Sequence, residues 1–107
     1  MSYVNKNTAL RNLANSDKLF LKFKTNFLNR YINCVEELTN LVALNDVNGV
    51  YDYINSIKSY ALNIGSEALD NDSFDVLEQI NKTGKIPSLE VFIETFRYVY
   101  MELERMN

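Results

Sequence analysis

The residues of this chain best placed to do chemistry lie between positions 47 and 64. Laid out at ~100° per residue, Val50, Ile54, Ile57, Ala61 and Ile64 gather on one side of a helix. Tyr53 and Tyr60 stand at the border of that side, while Tyr51, Asp52, Asn55, Ser59, Leu62 and Asn63 lie opposite, with Lys58 on one flank. Asn55 falls one turn after Tyr51, one before Ser59 and two before Leu62, so the outward row is Tyr51–Asn55–Ser59–Leu62. The row reads either as an ordinary solvated helix face or, since an exposed Tyr and Leu frame small polar groups and one Lys, as a docking surface whose chemistry is recognition.

Catalytic chemistries fall away for want of residues. The chain has no His, so the usual general base, phosphocarrier and metal ligand is missing. Di-metal sites in helical bundles need Glu-x-x-His pairs, and zinc sites need several Cys or His ligands. Neither set is present, nor is a Gly-rich phosphate loop or a nucleophile beside a base. The carboxylate pairs Glu36–Glu37 and Glu102/Glu104 read as exposed helix positions. These absences predict a protein that is not an enzyme and holds no metal or cofactor.

The elements that must position the row are helical throughout. Only three Gly and one Pro occur in 107 residues, which disfavours turns and barrels. Asn7-Thr8 is expected to cap a short helix carrying Leu10, Leu13 and Ala14. Ser16-Asp17 then caps a second, whose stripe of Phe20, Phe23, Phe27, Tyr31, Cys34 or Val35, Leu38, and Leu41 or Val42 runs for about 28 residues. Asn45-Asp46 ends that helix and caps a third, which closes at Gly65, where a left-handed residue belongs. A fourth starts at Ser66-Glu67, is kinked or restarted by Asp70-Asn71-Asp72-Ser73, and continues through Phe74, Leu77 and Ile80 or Asn81 to Thr83-Gly84. Ser88 caps the last, which buries Leu89, Phe92 or Ile93, Phe96, Val99 or Tyr100, and Leu103. This pattern predicts one all-α domain over residues 1–107, an antiparallel up-down-up-down four-helix bundle with a short extra N-terminal helix.

An apolar fraction of 47% with six Phe and seven Tyr favours a folded core over disorder. The lone Cys34 forbids an internal disulfide, suits a reducing compartment, and belongs to a packed stripe. Neither a membrane-spanning run nor an apolar leader is seen, so a cytoplasmic protein is expected. The net charge of −3 is uneven. Residues 1–30 hold six Lys or Arg against one Asp, a balance of +5, and residues 31–107 balance at −8. This lacks the basic excess of a nucleic-acid binder. The basic third, with Lys18 and Lys22 one turn apart, suits steering of an acidic protein partner.

The run Asn55-Ser56-Ile57-Lys58-Ser59-Tyr60-Ala61-Leu62-Asn63-Ile64-Gly65 resembles the signature helix of histidine-phosphotransfer (HPt) domains, His-Ser-Leu-Lys-Gly-Ser-Ala-x-Asn-Leu-Gly. Ser56, Lys58, Ala61, Asn63 and Gly65 match outright, Ile57 and Ile64 match in kind, and Tyr60 is larger than the usual Ser. Phe23 to Leu44 looks like the preceding family helix, Asn45-Asp46 like its Gly-Asp turn, and Leu69, Leu77-Glu78 and Gly84 follow the next helix. The resemblance covers roughly residues 8–105. It implies the four-helix bundle, and a surface that docks response-regulator receiver domains. In the family the His carries phosphate, the Lys three residues later helps hold it, and the small residue four later leaves room for the receiver. Lys58 and Ser59 fill the last two roles, although Ser59 replaces Gly.

Asn55 stands where the phosphorylated His should be. Its amide nitrogen is delocalised into the carbonyl and cannot accept a phosphoryl group as imidazole does. The resemblance therefore implies a pseudo-phosphotransfer domain that binds a receiver domain or histidine kinase without relaying phosphate. Tyr51, Asn55, Lys58, Ser59, Leu62 and Asn63 would form the contact, with Lys58 reaching toward the receiver's acidic pocket and Lys18 and Lys22 steering. Without the resemblance, the alternative is a structural or oligomerisation module unrelated to phosphorelay, since the apolar residues after Ile86 offer more stripe than one small bundle needs.

Overall fold

Helices in this chain begin where a side-chain oxygen can accept the first free N–H groups. In the computed structural model, which describes residues 2–106, Asn5 caps α1 (Lys6–Asn12), and Ser16 caps α2 (Asp17–Arg30). Asp46 caps α4 (Val47–Ala61), and Ser66 caps α5 (Glu67–Thr83). α3 (Cys34–Ala43) and α6 (Glu90–Arg105) start without a side-chain cap. One 3₁₀ turn, Leu62–Ile64, extends α4 to Gly65, whose φ of 87° is left-handed as expected. The described residues thus form six α-helices and no strand.

Four expectations about these elements need correction. α1 is capped by Asn5, two residues before Asn7, because the Asn5 N–H is tied to the Gly65 carbonyl at 2.8 Å and its backbone is extended. The long second helix is broken at Tyr31–Asn33 into α2 and α3. The buried stripe survives the break, since Phe27, Tyr31, Cys34 and Leu38 are all at most 1% exposed. α5 is continuous through Asp70–Ser73. There the acids bond to neighbouring helices instead of their own backbone, Asp70 accepting from Lys58 and Asp72 from the Thr95 hydroxyl. The start of α6 falls one residue late, at Leu89, with Ser88 Oγ only a distant acceptor, 3.4 Å from the Glu90 N–H.

The core threads all six helices. It holds Phe27 and Tyr31 from the α2 side, Leu38 from α3, Val50, Ile54 and Ile57 from α4, Leu69 from α5, and Phe92, Val99 and Leu103 from α6. Each fully buried aliphatic side chain of this kind contributes about 2 kcal/mol of transfer free energy. Cys34 is buried, as expected. α4 packs on α5, α5 on α6, α3 on α4, and α2 on α6. The whole measures 39 × 24 × 23 Å. No described helix is long and apolar enough to cross a membrane.

Candidate functional site

α4 owes its orientation to its apolar stripe. Val50, Ile54, Ile57 and Ala61, followed by Ile64, are completely buried, which turns Asn55, Ser59 and Leu62 to the outside. Tyr51 departs from the expected outward row: it is half-buried and packs against the core. Asn63 is also half-buried. The row that remains open is Asn55–Ser59–Leu62.

The hydroxyls of this face are committed to backbone. Ser59 Oγ donates to the Ser56 carbonyl at 2.6 Å, and Ser56 Oγ donates to the Tyr53 carbonyl at the same distance. Ser56 has spent its only proton, so the Tyr31 hydroxyl, 2.7 Å away, is the donor in their bond. The Asn55 carboxamide makes no hydrogen bond among the described residues. It is the one free polar head on the row.

Lys58 is not free. Its Nζ donates to Asp70 Oδ1 on α5 at 3.0 Å, with both side chains under one-third exposed. Its reach toward a partner's acidic pocket is therefore in competition with an internal carboxylate. Lys18 and Lys22 are exposed on α2, which meets α4 through Phe23 against the edge of Tyr60 at 6.0 Å. Neither lysine bonds to an α4 residue. The structure thus gathers Asn55, Lys58, Ser59 and Leu62, leaves Tyr51 and Asn63 partly beneath them, and keeps Lys18 and Lys22 on another helix.

No family model, curated protein or solved structure matches this chain significantly. The site must be read from its own residues. Tyr60, the bulky departure from the signature, is half-buried and fills an aromatic cluster with Phe27 at 5.8 Å and Tyr31 at 5.7 Å. The Cys34 thiol beneath the face is pushed up to about 12, chiefly by burial, so it is no nucleophile at neutral pH. Burial also raises the phenols of Tyr31 and Tyr53, which stay protonated and serve as hydrogen-bond donors. No group of three or more potential metal ligands occurs among the described residues.

Two residues beside the face escaped the sequence reading. Asp70 was grouped with a helix breaker, yet it anchors Lys58, and nothing in a spacing of twelve residues announces that pairing. Phe74, an apolar residue of α5, is 51% exposed one turn after Asp70. Glu102, read as an exposed acid, is half-buried and accepts from the Ser2 hydroxyl and from the N–H groups of Tyr3 and Val4.

Proposed function

We propose that this chain is a cytoplasmic pseudo-phosphotransfer domain that binds a receiver domain or histidine kinase of a phosphorelay without carrying phosphate. The observation that carries this reading is the place of Asn55. It is exposed and unbonded in the middle of a helix whose sequence follows the phosphotransfer signature and ends at a left-handed Gly65. The packing order supports a four-helix bundle in which broken α2–α3, α4, α5 and α6 close a ring, with α1 in front.

Lys58 is the charged contact. The Lys58–Asp70 pair keeps some contact with water, at 31% and 23% side-chain exposure, so the several carboxylates of a receiver pocket can compete with Asp70 for Lys58. Leu62 supplies apolar area at the edge of the contact.

Titration of isotopically labelled protein with receiver domains tests the reading. Amide signals of Asn55, Ser59 and Leu62 are expected to move, and Lys58→Glu is expected to weaken binding by ~10-fold or more. Binding that leaves this face unmoved, or that ignores Lys58→Glu, rules it out. Incubation with a phosphorylated receiver is expected to leave the wild type unlabelled, whereas Asn55→His gains an acid-labile phosphate. Acid-labile label on the wild type would overturn the loss of relay chemistry.

A further inference from the structure

α3 packs on α4, and α6 on α5 and α2, whereas α3 and α6 meet only sparsely along their seam. Two furrows lie along it. One, of about 670 Å³, has Leu38, Val42, Leu89 and Ile93 along its walls and Glu90 and Glu94 on its rim. The other, of about 430 Å³, runs past Ile32, Val35 and Met101. Arg97 lines both, so they form one trough along α6. Ile32, 69% exposed at the α2–α3 break, lines the second furrow.

The trough carries a charge pattern that another part of the same chain complements. On α6, Glu90, Ile93 and Glu94 are spaced i, i+3, i+4, which places them on one face. On α2, Lys18, Leu21 and Lys22 have the same spacing, and Leu21 is 55% exposed. None of these four charges forms an ion pair among the described residues. An acid–apolar–acid face and a base–apolar–base face of equal span are thus both left open.

Their positions decide how they can meet. The Lys24 ammonium donates to the Met106 carbonyl at 2.8 Å, and the Tyr100 hydroxyl donates to the Leu28 carbonyl at 2.7 Å. These bonds lay α2 along the C-terminal half of α6. Leu21 lies one turn before Lys24 and two before Leu28, so the basic face flanks the C-terminal end of the seam. The acidic face flanks its N-terminal end. A single chain cannot bring them together, but a two-fold relation between two copies that exchanges these ends pairs both faces at once.

We infer that the chain forms a two-fold homodimer through this seam, each copy laying Lys18, Leu21 and Lys22 over the Glu90–Ile93–Glu94 face of the other. The interface leaves the Asn55 row of α4 free and holds whether or not a receiver docks there.

Sedimentation equilibrium with charge-reversed variants tests it, with far-UV circular dichroism to verify folding of each. The wild type is expected to dimerise at about 0.1 mM, and K18E/K22E and E90K/E94K each to weaken the dimer ~10-fold or more. Mixed in equal amounts, the two variants are expected to recover a dimer of wild-type strength, because both contacts then pair opposite charges. A wild type that stays monomeric, a dimer that survives both reversals, or a mixture that fails to associate overturns the proposal. Open chains growing with concentration overturn the two-fold arrangement.

Discussion

Ser73 Oγ is the one side-chain polar atom among the described residues that is buried without a hydrogen-bond partner. A hydroxyl in that state keeps its desolvation cost and gains no bond in return. Ser73→Ala removes the orphan and adds helix propensity, so it is expected to stabilise the protein by about 1 kcal/mol and raise the melting temperature by roughly 4–8 °C for a domain of this size. Thermal unfolding followed by circular dichroism measures this, and a lowered melting temperature would show that Ser73 has a partner after all. The same residue sets the phase of α5. The buried line of α5 is Leu69, Ser73, Val76 or Leu77, and Ile80, so it passes through a serine while its neighbour Phe74 faces outward. Hydrophobicity alone favours Phe74 for the core, and only packing against α4 and α6 reveals the true phase. On α4 every stripe position is apolar, and there the inward and outward sides were legible from spacing, Tyr51 and Asn63 excepted.

The left-handed stops at the ends of helices were legible because they rest on local backbone chemistry. Gly65 and Gly84 both adopt positive φ, at 87° and 68°. Their surroundings nonetheless separate them. A Cβ on Gly65 would collide with the Asn5 carbonyl oxygen, in the segment whose N–H bonds to the Gly65 carbonyl, whereas a Cβ on Gly84 meets open space. Gly84→Ala therefore bears only the left-handed strain, about 1 kcal/mol, while Gly65→Ala adds the displacement of Asn5 and is expected to cost about 3 kcal/mol. Urea denaturation of the two variants gives the comparison, and equal losses would mean that the contact with Asn5 carries no weight. The break between α2 and α3 was not legible for the opposite reason. It contains no Gly or Pro, and the apolar spacing runs through it unbroken. Tyr31 sits at the break with its hydroxyl bonded to Ser56 and its ring against Phe27 and Tyr53, contacts made across helices that local sequence does not encode.

At the scale of the whole molecule, the two ends of the chain are fastened together at Glu102. Residues 2–5 run as a strap from α6 to Gly65, with the Tyr3 ring stacked on Tyr98 at 4.9 Å and 7°. Burial works to raise the Glu102 carboxyl, but hydrogen bonds from the Tyr3 N–H, the Ser2 hydroxyl and the Val4 N–H outweigh it and hold the group below its ordinary value of 4.5. A carboxylate depressed in the folded state stabilises it above the unfolded value. That contribution is therefore full at neutral pH, begins to fade below about 4.5, and is lost as the pH passes the folded-state value. Protonation leaves Glu102 a weaker acceptor for three donors, so the strap loosens in acid. The amide protons of Tyr3 and Val4 are expected to titrate together, with a midpoint below 4.5, and Glu102→Gln is expected to abolish that titration. Amide shifts that titrate unchanged in Glu102→Gln would assign the acid response to another carboxylate. Since Asn5 continues the strap onto Gly65, loosening it also frees the end of the helix that presents Asn55. The receiver binding proposed above is then expected to weaken in Glu102→Gln at neutral pH, and unchanged binding would uncouple the strap from the Asn55 face.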